Sequence, residues 1–191
     1  MTEFTFDQTS HVYKLDGKIL PSVTQILKKA GLTTDFSMVN PEVLENKRQI
    51  GIDVHELTQL IDMGVEVEQV GYALSYMQFK KDTGFVPVEI ELAVYSKLHG
   101  YAGTVDRVGL IKDKLSIVDL KTSATLDMLY MGPQTAAYEI LYREWSGYKK
   151  TMPRYILQLK PDGYKLVPCK DKEDTNIFLY ANQILRWRNK K

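Results

Sequence analysis

The sequence predicts a mixed α/β fold, in which helices flank a mixed central sheet. Between residues 87 and 122, hydrophobic residues recur in three strand-like runs that are joined by short polar turns. Helix start signals and helical spacing occur on both sides of this region. The predicted order is helices, a three-strand meander, a helix, a strand pair and a final helix, which is an order typical of an α/β domain.

The N-terminal segment predicts a small hairpin followed by a short helix. Residues 4–20 alternate around Asp16-Gly17, a turn dipeptide between the runs "HVYKL" and "KIL". A helix with the sequence "SVTQILKKA" then begins at Ser22, and Gly31 stands where helices commonly end.

Two longer helices are predicted before the strands. Asn40 can cap a helix, Pro41 suits its first position, and Glu42 places an acid in its first turn. Apolar residues continue this helix at helical spacing, namely Val54, Leu57, Leu60 and Ile61. A second helix is expected over about 67–81.

The C-terminal half predicts the sheet and the last two helices. The three strand runs are "VEIELAVYS", "YAGTVDRVGLI" and "KLSIVDLKT". Gly132-Pro133 is expected to begin a helix that continues through Trp145, and two further strands flank the turn 161–163. A last helix is expected from about 172 to 189.

Composition indicates a soluble globular protein. The 191 residues suffice for one domain with a sizeable core, so a single domain over 1–191 is expected. A net charge of +1 gives no overall attraction to nucleic acid, so a polyanion-binding surface would have to be a local patch. The single cysteine, Cys169, excludes an internal disulfide and suits a reducing, cytoplasmic compartment. Neither a signal peptide nor an apolar run of the ~20 residues that a membrane span needs is apparent.

The segment "SIVDLKTS" places two charges near the end of a strand that is otherwise apolar. Asp119 and Lys121 are two residues apart, so both side chains lie on one face of the strand. Removing an ionised carboxylate and an ammonium from water costs several kcal/mol for each group. A core strand would carry valine at such positions, so the two charges indicate a special role.

The turn before this strand decides which residue lies opposite Asp119. A two-residue loop at 112–113 would place Asp106 directly opposite Asp119, with Cβ atoms about 4.5–5.5 Å apart. A loop centred at 113–114 would place Asp106 opposite Lys121, still on that face. A three-residue loop would move Asp106 to the other face, and the sequence leaves these alternatives open.

Facing carboxylates at Asp106 and Asp119 would suit a divalent cation. Two carboxylates at this distance repel each other unless one is protonated or a cation lies between them. Mg²⁺ commonly binds a couple of carboxylates and keeps several waters. Lys121 could position such a water or help to deprotonate it, since burial and the ion would both disfavour its charged form, and the group suggests phosphodiester hydrolysis. In the alternative interpretation, Asp119 and Lys121 form an ion pair at a strand end and Asp106 is a solvated edge residue.

Two further groups could join this site. Glu91 lies on the preceding strand, although Glu89 has the same parity and spacing cannot choose between them. His55 lies on a predicted helix, and Gly51 one turn earlier would let another segment approach closely. A surface glutamate and a structural histidine are the alternative interpretations.

Gln134 and Tyr138 lie four residues apart and share one face of a predicted helix. Both can hydrogen-bond a nucleotide, and tyrosine can stack on a base, although ordinary helix packing would explain them as well. Most basic residues are expected to be solvated, and a few could contact a polyanion. The candidates are Lys28, Lys29, Lys47, Arg48, Lys80, Lys81, Arg107, Lys149, Lys150 and Arg154.

Taken together, these residues resemble the motifs of the PD-(D/E)XK nuclease superfamily, and within it those of the RecB-like exonucleases. The matching motifs, in order, are "GIDVH" from Gly51 to His55, Glu91, "GTVD" ending in Asp106, "VDLKTS" with Asp119 and Lys121, and "QTAAY" with Gln134 and Tyr138. The resemblance covers residues from about 50 to 140, and "PSVTQIL" extends it toward the N-terminus. The chain is also similar to the mitochondrial genome maintenance exonuclease and its phage and bacterial relatives.

The resemblance implies a restriction-endonuclease-like αβββαβ core, with the hairpin and helix of about 1–35 as an elaboration. It also implies Mg²⁺ or Mn²⁺, as one ion or two. The implied metal ligands are His55, Asp106, Asp119 and the Leu120 carbonyl.

The resemblance assigns catalytic and binding roles as well. Lys121 would orient or activate the attacking water and stabilise charge on the scissile phosphate, and Glu91 would assist the metal site. The implied nucleic-acid contacts are Gln134, Tyr138, Thr122 and Ser123.

The activity that the resemblance favours is that of a DNA exonuclease, acting on single-stranded ends in replication, recombination or repair, in a protein encoded by a bacterium or a phage. The alternatives are a structure-specific flap endonuclease and a catalytically inactive nucleic-acid-binding module of the same fold. Some relatives hold an iron–sulfur cluster with four cysteines, which Cys169 alone excludes here. The chain lacks a helicase motor, so it would act alone or with a separate partner protein. Strand polarity and oligomeric state stay open.

Overall fold

The computed structural model describes residues 3–34 and 38–188. Within these ranges the chain forms five helices and eight strands. The helices are α1 (Val23–Lys29), α2 (Pro41–Asp62), α3 (Gly71–Thr83), α4 (Met128–Ser146) and α5 (Asp174–Arg188). The strands are β1 (Phe4–Asp7), β2 (Val12–Leu15), β3 (Lys18–Leu20), β4 (Val86–Ser96), β5 (Tyr101–Ile111), β6 (Lys114–Lys121), β7 (Arg154–Lys160) and β8 (Gly163–Pro168).

The larger sheet has the strand order β4-β5-β6-β7-β8. Neighbouring strands are antiparallel except for β6 and β7, which are parallel because the connection through α4 returns the chain to the same end of the sheet. The predicted mixed α/β fold with helices on a mixed sheet is confirmed. The predicted order of three strands, a helix and a strand pair is also found.

Two hydrophobic clusters cover the two faces of this sheet. On the α4 face, helices α1, α4 and α5 pack against strand residues such as Val105 and Ile117. On the α2 face, helices α2 and α3 pack against residues such as Val118 and Leu120. The side chains of β6 therefore alternate between the two clusters, and Asp119 lies on the same side of the strand as Ile117.

The loop between β5 and β6 has two residues. Both residues of the loop 112–113 have positive φ angles, 49° and 63°, as a type I′ turn requires. The ladder continues from this turn to the pair Arg107 and Val118, so Asp106 and Asp119 are next in line on the two strands. The two alternatives, a loop centred at 113–114 and a three-residue loop, are therefore excluded.

The N-terminal segment forms a second, three-stranded antiparallel sheet, β1-β2-β3. The predicted hairpin at Asp16-Gly17 is confirmed, and its two turn residues have φ angles of 49° and 75°. The turn between β1 and β2 has no glycine, and His11 takes the left-handed conformation there with a φ of 53°. A turn of this composition has a weak sequence signal, so β1 is not predicted as a separate strand.

The helices α1 and α2 begin as predicted. Ser22 and Gln25 form a capping box at α1, in which each side chain accepts a hydrogen bond from the other residue's backbone N–H. Asn40 caps α2 by accepting a hydrogen bond from the Glu42 backbone N–H, and Pro41 occupies the first position.

The other three helices differ from the prediction at their ends. Helix α3 begins at Gly71, a few residues later than predicted. Helix α4 begins at Met128, and Pro133 lies in its second turn rather than at its first position. Near the N-terminus a proline removes one hydrogen bond without ending the helix, so the proline does not mark the start. Helix α5 ends at Arg188, and the predicted end at 189 lies outside the described residues.

Gly109 on β5 lies where β4 and β5, the first two strands of the larger sheet, pack closely against each other. A Cβ atom at this position would lie 2.4 Å from Phe85 Cε2 and 2.6 Å from the Val86 carbonyl oxygen. Because the second neighbour is backbone, Gly109→Ala would push β4 away from β5. We expect a loss of about 2–3 kcal/mol in the free energy of unfolding, measured by urea denaturation.

Gly51→Ala in α2 is the matched control. Its Cβ would lie 3.7 Å from Thr122 Oγ1, which is an ordinary van der Waals contact. Alanine is about 1 kcal/mol better than glycine inside a helix, so this variant should be as stable as the wild type or more stable. A Gly109→Ala protein with wild-type stability would contradict the packing described for β4 and β5.

Candidate metal centre

Three carboxylates lie on adjacent strands of the larger sheet. The ladder between β4 and β5 places Glu91 opposite Asp106, and the ladder between β5 and β6 places Asp106 in line with Asp119. Carboxylates this close to one another repel unless positive charges lie among them, and the surrounding elements supply several cationic side chains.

The regular alternation of side chains breaks at Glu91 and Asp106. Val105 and Val108 are separated by an odd number of positions, yet both pack in the cluster on the α4 face. Glu91 has a φ of 47°, a left-handed conformation that costs about 1 kcal/mol or more for a residue other than glycine. Because of this break in the alternation, the Asp106 side chain lies toward α2, as the Glu91 side chain does. With unbroken alternation, Asp106 would lie on the α4 face of the sheet.

His55 approaches the two carboxylates from α2. Its Nδ1 lies 3.2 Å from Glu91 Oε1, and its Nε2 lies 3.8 Å from Asp106 Oδ2. One ligand atom from each of these residues lies within 4.8 Å of the other two. His55, Glu91 and Asp106 are named the ligand cluster below. Asp106 is buried and the other two are half-buried, so the cluster is reached from solvent on the side of His55 and Glu91.

Asp106 is oriented by the backbone of the next strand. Leu120 N donates a 2.8 Å hydrogen bond to Asp106 Oδ2. Leu120 is also the residue whose carbonyl is expected from the sequence to bind the metal. The hydrogen bond places the Leu120 backbone next to Asp106, and the role of its carbonyl stays a prediction.

Asp119 and Lys121 form a buried ion pair beside the ligand cluster. Lys121 Nζ lies 2.5 Å from Asp119 Oδ2, and the two side chains are 21% and 1% exposed. Apart from this ion pair, Asp119 Oδ2 has no hydrogen-bond partner among the described residues. Burial raises the pKa of Asp119, the Lys121 charge opposes this change, and the Asp106 carboxylate adds to it. The charge of Asp119 is therefore balanced by Lys121, and Asp119 is not a member of the ligand cluster.

The pKa of Lys121 is raised. Burial by itself favours the neutral amine, but the carboxylates of Asp119 and Asp106 outweigh burial. This corrects the expectation that burial lowers the pKa of this lysine. In the ion-free arrangement Lys121 is an ammonium ion, which can orient a water and neutralise a phosphate but has no lone pair to accept a proton.

A fully buried arginine holds the ligand cluster in place. Arg107 Nη1 donates to Glu91 Oε1 at 2.8 Å and to the Asp106 carbonyl at 2.6 Å. Its Nε donates to Asp62 Oδ2 at 2.7 Å, and its Nη2 donates to Thr58 Oγ1 at 3.0 Å. Since Asp62 and Thr58 belong to α2, Arg107 ties β4 and β5 to that helix.

The sequence places Arg107 among the candidate phosphate contacts, and this prediction is wrong. It is also wrong for Arg154, which is buried and donates to the Gly132 carbonyl at 2.9 Å. Lys80 is engaged as well, since its Nζ lies 2.6 Å from Asp62 Oδ1. From the sequence, an isolated charged residue in a strand or helix is expected to be solvated. Its burial is not predicted because the residues that pair with it in the folded protein are distant along the chain.

Gln134 and Tyr138 lie on α4 and are 3% and 6% exposed. Gln134 Nε2 donates to the Tyr138 hydroxyl at 3.2 Å. Burial raises the pKa of Tyr138, and the charges of Asp119 and Asp106 add to this effect, so the ring is near both acids. A base cannot stack on Tyr138 while it is buried in this way. Gln134 Oε1 has no hydrogen-bond partner in the described part of the chain.

Thr122 and Ser123 follow β6 directly, at its carboxyl end. Thr122 is half-buried and Ser123 is exposed. Thr122 lies beside Gly51 of α2, as the 3.7 Å separation between a Cβ built there and Thr122 Oγ1 shows. Because Gly51 is one turn before His55, Thr122 lies on the side of the ligand cluster. The Ser123 carbonyl accepts a 2.7 Å hydrogen bond from Gln158 Nε2.

The ligand cluster has the donor chemistry of a divalent-cation site. Two carboxylates suit Mg²⁺ and Mn²⁺, and an imidazole is accepted more readily by Mn²⁺ than by Mg²⁺. Their ligand atoms all lie within 4.8 Å of one another, so the three residues are grouped closely enough to hold one ion together. The residues present therefore fit such an ion, and Asp119 could join them on leaving Lys121.

His55 should titrate at an unusually high pH in the metal-free protein. Burial lowers its pKa, but Asp106 and Glu91 outweigh burial and raise the pKa from 6.5 to about 9. The charged imidazole thus stabilises the fold fully below pH 6.5, and this contribution is lost as the pH rises through 9. NMR titration of the imidazole signals in a chelating buffer measures this value.

Two variants make this titration specific. His55→Gln identifies the signal by its disappearance, and Glu91→Gln should move the pKa of His55 downward because it removes one of the two neighbouring charges. A His55 pKa at or below 6.5 in the unmodified protein would contradict the geometry of the cluster.

Comparison with known proteins connects this geometry to a family. None of the helices in the described residues is both long and apolar enough to cross a membrane. A search of curated protein sequences finds no match. The sequence model of the PD-(D/E)XK nuclease superfamily matches residues 67–186, a segment that contains Glu91, Asp106, Asp119 and Lys121. Because the match covers more than half of the 191 residues, the chain belongs to the PD-(D/E)XK nuclease superfamily.

Proposed function

We propose that the chain is a Mg²⁺- or Mn²⁺-dependent DNA exonuclease of the RecB-like type, which hydrolyses phosphodiester bonds at single-stranded ends. The observation that carries this proposal is the ligand cluster with the Asp119–Lys121 pair on the adjacent strand. Superfamily membership supports nuclease chemistry. The RecB-like assignment, with its similarity to the mitochondrial genome maintenance exonuclease, is supported by His55, which a helix before the sheet supplies.

The ion would be held mainly by the ligand cluster. Asp119 and the Leu120 carbonyl would complete its coordination, because both lie beside Asp106. A bound divalent ion supplies positive charge to the scissile phosphate and makes a water molecule easier to ionise.

Lys121 would act on the water and on the phosphate. In the ion-free molecule its ammonium is held by Asp119. With Asp119 turned toward a bound cation, the ammonium would be free to hydrogen-bond the attacking water and a phosphate oxygen. The water oxygen would bond to phosphorus as the bond from phosphorus to the leaving oxygen breaks. The water would lose a proton to solvent, and the leaving oxygen would take one up from solvent. The fixed charge of Lys121 would stabilise the negative charge that develops on the phosphate.

Substrate contacts are proposed at the carboxyl end of β6 and on α4. Thr122 and Ser123 would donate to phosphate oxygens, and Gln134 Oε1 would accept a hydrogen bond from the bound nucleotide or its water. Asp119 is buried, so the scissile phosphate must enter a recess. A flexible single strand can bend into a recess more easily than a duplex, which supports the proposed substrate.

The wider role is proposed from the resemblance alone. As a single domain over 1–191, the enzyme would act in replication, recombination or repair of bacterial or phage DNA in the cytoplasm. It would act alone or with a separate partner protein.

Loss of Lys121 or Asp119 should abolish cleavage. We expect Lys121→Ala and Asp119→Ala each to lower the rate of cleavage of an end-labelled single strand in Mg²⁺ by about 10³-fold, because each removes a charge aimed at the reacting phosphate or its metal. Lys114→Ala is the matched control, since Lys114 is an exposed lysine at the other end of the same strand and should leave the rate unchanged. Equal rates for Lys114→Ala and Lys121→Ala would contradict the assigned role.

Covalently closed circles distinguish an exonuclease from an endonuclease. Degradation of linear single strands without cleavage of circles is the expected result. Cleavage of circles or of flap junctions would instead identify a structure-specific endonuclease. A folded protein that cuts no linear strand, duplex or circle with Mg²⁺ or Mn²⁺ would overturn the enzymatic proposal in favour of a nucleic-acid-binding module.

A further inference from the structure

The N-terminal sheet is attached to the larger sheet through aromatic residues. The ring of Phe4 on β1 lies 4.7 Å from the ring of Tyr95 on β4. Tyr13 on β2 is 1% exposed, and its hydroxyl is hydrogen-bonded to Thr104 Oγ1 on β5 at 2.8 Å. This sheet precedes the segment that matches the superfamily.

The attachment lies beside the ligand cluster. Thr104 is two positions before Asp106 on β5. Burial raises the pKa of Tyr13 to about 12, and the charges of Glu91 and Asp106 contribute to this shift. The Tyr13 hydroxyl is therefore close to both carboxylates, and the N-terminal sheet borders the place where the scissile phosphate is proposed to bind.

Three aromatic rings of this sheet form a stack with one accessible end. The rings of Phe6 and Tyr13 are 4.5 Å apart with an interplanar angle of 12°, and those of Tyr13 and Phe4 are 6.4 Å apart with an angle of 13°. The Phe4 end continues to Tyr95. Tyr13 is buried, and Phe4 and Phe6 are both half-buried. Because the Phe4 ring packs against Tyr95, Phe6 is the end of the stack that a further ring could extend.

His11 lies beside the rings of Phe6 and Tyr13, at the same distance from each. Its exposed ring is nearly perpendicular to the rings of Phe6 and Tyr13, at 86° and 82°, with both centroid distances equal to 5.4 Å. Its Nε2 lies 3.2 Å from the Tyr13 hydroxyl. Its left-handed φ of 53° belongs to the turn between β1 and β2. Phe6 and His11 together form a corner between two ring planes.

We infer that this corner of Phe6 and His11 is a stacking site for a nucleobase next to the scissile phosphate. A base placed on Phe6 would continue the existing stack, and His11 would contact its edge. Such a ligand needs an open aromatic face, which an unpaired base of a single strand offers and a base inside a duplex does not. The inference rests on the proposed function for the position of the phosphate and for the single-stranded substrate, and it adds the residues that select that strand state.

Fluorescence of 2-aminopurine tests the stacking directly. The protein carries Asp119→Asn to prevent cleavage, and a single-stranded oligonucleotide carries 2-aminopurine in turn at each position near its end. At one position the fluorescence should be quenched on binding. Phe6→Leu and His11→Ala should each abolish most of this quenching and raise the Kd for the single strand about tenfold, the scale expected for loss of one base–aromatic contact. The weaker Kd for a blunt duplex should not change.

Matched variants separate stacking from stability. Ile19→Ala removes an exposed apolar residue from β3 of the same sheet and should leave quenching and Kd unchanged. Phe6→Leu keeps an apolar side chain against Tyr13. His11→Ala removes an exposed ring together with its 3.2 Å contact to the Tyr13 hydroxyl, so the Tm of each variant is measured to show that it is folded at the assay temperature. Quenching and Kd that are equal in His11→Ala, Phe6→Leu and Ile19→Ala would overturn the stacking site.

The experiments can contradict the stacking site without contradicting the proposed function, and the reverse is also possible. If the unmodified protein cleaves DNA while both aromatic variants bind and quench as it does, the stacking site is wrong and the nuclease proposal stands. If the unmodified protein cleaves nothing but the aromatic variants lose quenching, the catalytic proposal is wrong and the base-binding site stands.

Discussion

A guanidinium that is fully removed from water needs a partner for nearly every N–H, and Arg107 finds its partners on three elements. It donates to Glu91 on β4, to the backbone of Asp106 on β5 and to Asp62 on α2. If α2 shifted on the sheet, a buried charge would lose its partner at a cost of about 3–5 kcal/mol. The place of α2, and with it the place of His55 beside the carboxylates, depends on this one side chain.

The charges at the centre are balanced before any ion binds. Lys121 neutralises Asp119, and the charged imidazole of His55 lies between Glu91 and Asp106. A divalent cation held by the proposed ligands would have to displace the proton of His55 and would compete with Lys121 for Asp119. Its binding would therefore be coupled to proton release and to movement of the lysine. With this coupling, the same acids would be stable without the ion and could still bind it.

Local rules account for the part of the site that the sequence predicts. The two-residue loop 112–113 fixes the register that brings Asp106 in line with Asp119, and the alternation along β6 fixes the lysine beside them. The break in the alternation at Glu91 is not predictable, because a left-handed residue other than glycine gives no sequence signal. The burial of Arg107 is also hidden, since its partner Asp62 is 45 residues away along the chain. The superfamily and the mixed α/β fold follow from patterns in the sequence, whereas the tertiary network around the site does not.

The sequence separations within the site determine the order in which it can assemble. The hydrogen bond from Leu120 N to Asp106 spans 14 residues inside one hairpin, whereas the contact between His55 and Glu91 spans 36 residues and needs a docked helix. Hairpins form in about 1–10 μs, and contacts that are more distant in sequence form later. An incompletely folded chain can therefore bring the acids together without the histidine. Such a chain has no complete ligand set, so a newly made copy would acquire the capacity to cut nucleic acid only when its tertiary structure is complete.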